Sequence, residues 1–259
     1  MTYGKSNEES SFIYDPLYTY RTTIAGQLFV CMWSERWIKA VPEVKFLQTN
    51  TDGQTILVPR NKLNLIHEVN EQLTKETGLT IEEVLYKKMI IRDVNNYTAV
   101  YEDYTPENNH VKLKGDFEID KEFHKDPSMR IVPLAVKNYF VDGIPITETI
   151  LNNTDIFNFC LRLKTNSKST PYFVHLQNGQ VIKDKLDRTT RYYISKTGGT
   201  LQKEFDDGRI VGVNVGKSVT IFNKYVKKDI KDYNLNYNFY ISEANKLKLS
   251  VNDGQLKLF

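Results

Sequence analysis

Cysteine is scarce in this chain. Cys31 and Cys160 lie far apart and outside any CxxC or Cys/His spacing, which argues against a zinc site or a disulfide framework and for two buried thiols in a reducing cytosol. Long apolar runs are missing too: none approaches the roughly 20 residues that span a bilayer, so a membrane role is not expected. The opening Met-Thr-Tyr-Gly-Lys-Ser-Asn-Glu-Glu has no charged-then-apolar pattern and no small-residue cleavage site, so export is not indicated and a cytoplasmic setting is expected. Charge of one sign is in small excess, net +3, too little to announce a nucleic-acid partner by itself. No repeat of 20–50 residues is evident.

What is present is an ordinary globular makeup. Hydrophobic content of 40% and charged content of 26% argue against disorder. The 259 residues suffice for two modest domains or one larger α+β unit. The distribution of charge is more informative than its sum. From Lys183 to Lys231 there are twelve Lys and Arg against six Asp and Glu, interleaved with Tyr192, Tyr193, Phe205, Phe222 and Tyr225. Positive charge among aromatic rings suits nucleic acid, although a solvated surface has the same composition.

Asp15-Pro16 breaks the chain, and apolar spacing by three and four predicts a largely buried helix from about Thr19 to Lys39, ended by Pro42. Two β-prone runs, Val44–Leu47 and Thr55–Val58, flank the polar turn Gln48-Thr49-Asn50-Thr51-Asp52-Gly53 and predict a hairpin. Asn61 offers an N-cap for a helix to about Thr77, with Leu65, Val69 and Leu73 on one face and Gly78 as its stop. Val84–Tyr101 reads as two further strands around Asp93–Tyr97, giving a small sheet with helices on one side. Ser128–Phe140 and Thr147–Phe159 read as helices. Shorter strands then follow at Tyr172–Leu176, Arg191–Ser195 and Val219–Asn223, with turns at Gly179, Gly198-Gly199 and Gly208. The tail from Lys246 alternates apolar and polar residues.

The hairpin turn holds the most specific chemistry. An Asp at the tip of a stiff, tight hairpin is well placed to bind a metal ion, although most Asp-Gly turns only satisfy local backbone donors. The hexapeptide resembles the motif C hairpin of family B DNA polymerases, Tyr-Gly-Asp-Thr-Asp-Ser, whose second Asp binds the catalytic metals. On this resemblance Asp52 is the catalytic metal ligand, with Asn50, Thr51 and Gly53 forming the turn. Asn50 replaces the first acid, keeping an acceptor and turn propensity while losing the charge.

Other segments resemble the same family in the same order. Tyr3-Gly4 is similar to the end of motif B, which implies contact with the nascent base pair and template, and Ser11–Leu28 resembles the helix that follows it. Asp93–Tyr97 stands where the family carries Lys-Lys-x-Tyr; only Tyr97 is kept, and Asn95 and Asn96 replace the lysines. Lys112, Lys114 and Gly115 resemble the step from palm to thumb. Lys121, His124, Lys125, Ser128 and Arg130 fall in the first thumb segment, and Arg191-Tyr192-Tyr193 adds a guanidinium beside rings. The resemblance thus implies primer-template DNA contacts at Asn95, Asn96, Tyr97, Lys112, Lys114, Arg130 and Arg191. The last five residues resemble a sliding-clamp-binding peptide, with Gln255, Leu256, Leu258 and Phe259 as its contacts.

The implied fold class is α+β. A partial polymerase palm, a small antiparallel sheet with packed helices, would occupy residues 1–115, and a thumb of helices and short strands residues 116–259, with the clamp-binding tail at 255–259. Motif A, the fingers and an exonuclease have no counterpart here; Asp15, Asp93 and Asp103 are spare acids outside any motif A context. The resemblance therefore implies a complementary N-terminal chain, with which this one would share a two-Mg²⁺ site, bind dNTP and extend DNA, as in phage replication within a bacterial cytoplasm. A non-catalytic DNA-binding and clamp-tethering subunit is the alternative reading.

Overall fold

The computed structural model describes residues 2–121 and 128–251, with nothing described of the side chains of residues 2 and 3. Two compact units divide the chain, Met1–Leu85 and Tyr86–Phe259. The architecture is mixed α and β, and every strand pair is antiparallel.

The first unit opens with a short helix α1 (Thr2–Ser6) and a long helix α2 (Pro16–Ala40). Asp15 accepts a hydrogen bond from the Tyr18 amide, and Pro16 takes the first turn, where its missing N–H costs nothing. Strands β1 (Lys45–Thr49) and β2 (Gln54–Leu57) form the expected hairpin. Helix α3 (Leu63–Thr77) ends on Gly78 at φ 70°, a left-handed cap that suits glycine. Asn61 is not its N-cap: a 3-10 turn over Arg60–Lys62 leads into the helix with no side-chain cap.

The core of this unit is Trp33, Trp37, Val41, Ile66 and Leu73. Both indole N–H groups donate to Asn70 Oδ1, at 2.7 Å from Trp33 and 3.0 Å from Trp37, and Asn70 Nδ2 donates to Glu83 at 2.8 Å. The buried stripe of α3 is therefore Ile66, Asn70 and Leu73, with Leu65 and Val69 only partly covered. α2 is buried in its C-terminal half alone; Leu17, Tyr20, Ile24 and Leu28 are exposed, as is Cys31. The expectation of a largely buried helix and of two buried thiols is corrected there, because the Trp33/Trp37 core reaches only that end of the helix.

The second unit begins with a three-stranded sheet of β3 (Tyr86–Asp93), β4 (Asn96–Tyr101) and β5 (Val111–Lys114). The two hairpins read as one sheet are thus two sheets, β1-β2 and β3-β4-β5. Alternation identifies strands but leaves their non-local partners undetermined. Three helices follow in chain order or close the unit: α4 (Ile131–Lys137) with a π-helical turn at Asn138–Asp142, α5 (Ile146–Asn152), and α6 (Tyr237–Leu249). Phe159 closes a separate 3-10 turn, Ile156–Phe159, so the two segments read as helices are shorter than expected. α6 takes up Lys246–Leu249, where the tail was read as alternating.

A six-stranded sheet dominates the rest: β6 (Leu161–Lys164), β7 (Ser169–Gln177), β8 (Gln180–Lys185), β9 (Thr189–Phe205), β10 (Ile210–Val213) and β11 (Val219–Ile221). At 17 residues β9 corrects the expectation of short strands. Its first part pairs with β6 and β11 and its last part with β7 and β10. Gly198-Gly199, read as a turn, lies at the changeover. A Cβ on Gly198 would sit 2.2 Å from the Val219 carbonyl oxygen, and one on Gly199 2.4 Å from that of Val174, so the pair permits close strand approach rather than chain reversal. Asn178-Gly179, with φ of 52° and 80°, does turn the chain between β7 and β8.

Tyr240 joins the layers of this core. Its buried hydroxyl donates to the Phe159 carbonyl at 2.8 Å and accepts from the Ile194 amide at 2.9 Å, linking α6 to β9 and the 3-10 turn. Burial raises its phenol well above the ordinary range.

Candidate metal-binding hairpin and nucleic-acid contacts

The hairpin register runs Lys45↔Leu57, Phe46↔Ile56, Gln48↔Thr55 and Thr49↔Gln54, with an irregularity between Phe46 and Gln48. Four residues, Asn50, Thr51, Asp52 and Gly53, remain for the turn, which the Asn50 amide closes on the Gly53 carbonyl at 2.7 Å. Gln48 Nε2 donates to Thr55 Oγ1 at 3.2 Å across the stem. Gln54 then ties the stem to α2: its Oε1 accepts from Ser34 Oγ at 2.6 Å, and its Nε2 donates to the Val30 carbonyl at 3.2 Å. Nearer the tip, a Cβ at Gly26 of α2 would meet the Thr51 carbonyl oxygen at 3.8 Å, an ordinary contact distance.

Asp52 is exposed at the tip of this braced turn, with Asn50 half-buried beside it. The carboxylate is a hard oxygen ligand, of the kind Mg²⁺ takes in ones and twos beside substrate phosphates. Among the described residues no three His, Cys, Asp or Glu side chains gather as a metal cluster. Asp52 offers one carboxylate at this turn. The spare acids have structural work: Asp15 caps α2, Asp103 pairs with His110 at 2.7 Å, and Asp93 organises a turn.

That turn contains Asn95 and Asn96. Asp93 Oδ1 accepts from the Asn95 amide at 2.9 Å, and Asn96 Nδ2 donates to both Asp93 oxygens at 2.8 and 3.0 Å. The Asn96 carboxamide, followed by the Asn95 amide, holds the Asp93 carboxyl below its ordinary range. Asn96 Oδ1 also accepts from the Asp116 amide at 2.9 Å. Between them Gly115 adopts φ 68°, and a Cβ there would lie 2.2 Å from Asn96 Oδ1, so the Lys114-Gly115 step needs glycine for a local reason. The Asn96 side chain is thus engaged within the protein, whereas Asn95 is exposed.

Tyr97 is buried in β4, opposite Lys114 in the register. Lys112 is exposed on β5; burial acts to lower its ammonium, but the nearby Tyr86, Tyr97 and Tyr101 phenols together raise it above the ordinary range. Arg130 donates through Nε to the Ile119 carbonyl at 3.1 Å and pairs with Asp120, an internal role. Lys112, Lys114 and Gly115 all lie within the second unit. Gly4 lies in α1, where an added Cβ would meet nothing within 4 Å. The Tyr3 side chain, His124, Lys125 and the clamp-like residues Gln255, Leu256, Leu258 and Phe259 lie outside the described residues.

Arg191 sits on β9 directly opposite Arg162 of β6. Its amide donates to Asn223 Oδ1 at 2.8 Å, and its guanidinium carbon is 5.3 Å from the centre of the Phe157 ring. Phe157 in turn stacks on Tyr225, with centroids 5.6 Å apart and planes at 22°. Sequence reasoning noted Tyr225 among basic residues but missed Phe157, which reaches the cluster from a 3-10 turn remote in sequence. Cys160 is buried, and burial pushes its thiol up to about 12 although the Arg191 charge acts to lower it. No helix among the described residues is long and apolar enough to cross a membrane. No protein-family model, curated protein or solved structure matches the chain.

Proposed function

We propose that this chain is the C-terminal part of a family B-type DNA polymerase, supplying the motif C carboxylate and a primer-template-binding thumb to an enzyme completed by a second chain. The observation that carries this reading is the exposed Asp52 carboxylate on a four-residue turn whose stem Gln54 fastens to Ser34 and Val30. A catalytic ligand must be held within a fraction of an ångström, and a stem hydrogen-bonded to a 25-residue helix is a suitable mount.

The reaction is attack of a primer 3′-hydroxyl on the α-phosphorus of a dNTP, forming the new phosphodiester and releasing pyrophosphate. Asp52, together with an Asp of the complementary chain, would hold Mg²⁺, which in such sites lowers the pKa of the hydroxyl and neutralises phosphate charge. Asn50 keeps an amide oxygen in the turn without a second negative charge. Lys112, exposed on β5, and Arg191, beside the Phe157 ring, would neutralise backbone phosphates.

Reconstitution tests the proposal. The purified chain alone should extend no primer, and mixing it with the complementary N-terminal chain should give Mg²⁺-dependent extension. The alternative, a non-catalytic DNA-binding and clamp-tethering subunit, draws on the same exposed cations; it expects DNA binding with no Asp52-dependent synthesis in any mixture.

A further inference from the structure

The segment Asn223-Lys224-Tyr225-Val226-Lys227-Lys228-Asp229 crosses an aromatic base. Tyr193, Phe222 and Tyr233 pack edge to face with centroids 5.8–6.0 Å apart, and all three are buried. Phe157 meets Phe222 edge-on at 5.5 Å and stacks on Tyr225. The segment is pinned at three points: Asn223 Oδ1 accepts from the Arg191 amide, the Tyr225 ring lies on Phe157, and the Tyr233 hydroxyl donates to the Val226 carbonyl at 2.7 Å. It is therefore a fixed surface rather than a loose loop. Tyr225 nevertheless remains 59% exposed and Phe157 38%. Leaving two stacked rings open to water forgoes hydrophobic stabilisation that burial would give.

Cations outnumber acids around these rings. Lys224, Lys227 and Lys228 are exposed and make no ion pair among the described residues, and the Arg191 guanidinium lies over the Phe157 ring, 5.3 Å from its centre. Two carboxylates adjoin them, Asp155, which accepts from the Phe157 amide at 2.9 Å, and Asp229, which accepts from the Lys231 amide at 3.0 Å, so the four cations leave a local excess of two positive charges. An exposed aromatic ring in a lysine-rich segment fits a ligand with flat, unpaired rings on an anionic backbone. A duplex fits less well, since its bases are already stacked and paired.

We infer that Tyr225, stacked on Phe157 with Arg191 over that ring and the exposed Lys224, Lys227 and Lys228 in the same segment, forms a binding site for single-stranded nucleic acid. An unpaired base stacks on the Tyr225 ring, and the lysines and Arg191 neutralise the adjoining phosphates. The site is independent of the Asp52 assignment.

Fluorescence anisotropy on the full chain tests it, using labelled oligo(dT), oligo(U) and a blunt DNA duplex. Tyr225→Ala should weaken single-strand binding roughly five- to hundredfold, the range of one base-aromatic stack, with little effect on the duplex. Tyr225→Phe should bind as wild type. Replacing Lys224, Lys227 and Lys228 together with Ser should flatten the dependence of log affinity on log salt by about 2, at roughly 0.7 per phosphate; this variant removes no packed group and guards against misfolding of the first. Tyr225 dependence with either oligomer supports the site, and the tighter oligomer identifies its source. Wild-type binding of both by Tyr225→Ala, or an equal loss on the duplex, overturns it.

Discussion

Ser34 Oγ donates to Gln54 Oε1 across 2.6 Å, joining the middle of a 25-residue helix to the first residue after the Asp52 turn. The bond matters because a two-stranded ribbon is marginal in water by itself. Gln54→Leu removes this bond and the one to the Val30 carbonyl, leaving Ser34 Oγ to donate to that carbonyl, 2.9 Å away. The expected loss is about 1–2 kcal/mol, from ~1 kcal/mol per hydrogen bond. Urea unfolding followed by tryptophan fluorescence measures it, since both tryptophans lie in the first unit. The amide of Asn50, bonded to Gly53, should exchange with solvent faster in the variant.

Asn70 should be the most sensitive polar position of the first unit. It serves two indole donors through one oxygen, so Asn70→Ala strands both buried N–H groups at once. Each orphan costs about 1–3 kcal/mol, and the variant's urea midpoint should fall further than that of Gln54→Leu. Unchanged tryptophan emission and midpoint would show that the indoles find acceptors elsewhere.

Asn70 also marks where sequence reading stopped short. The α3 periodicity was legible through its apolar residues, but the asparagine on the same stripe looks like a surface residue until its partners, 33 and 37 positions away, are known. The same holds for β9. Gly198-Gly199 reads as punctuation because glycine has two uses, reversing a chain and letting strands crowd together, and only the positions of Val174 and Val219 distinguish them. The Asp52 turn was legible because its signal is local: β-prone runs on either side of a polar hexapeptide, of which Gln48 and Thr49 belong to the first strand. The stem's attachment to α2 was not, since Ser34 and Gln54 carry no pattern that pairs them. Phe157 escaped for a similar reason, reaching Tyr225 across 68 positions of chain.

Asp93 makes stability depend on acid. Its carboxyl is held below the ordinary range when folded, first by Asn96 and then by the Asn95 amide. A group depressed in this way stabilises the fold above its unfolded pKa, about 3.9 for Asp, and that contribution disappears as pH falls through the folded value. The melting temperature of the wild type should therefore drop below about pH 4, and Asp93→Asn should show a shallower drop over the same window. Parallel profiles for the two proteins would contradict the assignment.

The most direct measurement of the central claim is primer extension by the reassembled enzyme, wild type against Asp52→Ala, at matched folding and matched DNA affinity. If Asp52 is the motif C ligand, its loss removes a metal-holding carboxylate while sparing the hairpin, and the rate should fall by about 10²–10³ or more, as for removal of one preorganised electrostatic group. Extension by Asp52→Ala at the wild-type rate would contradict the account.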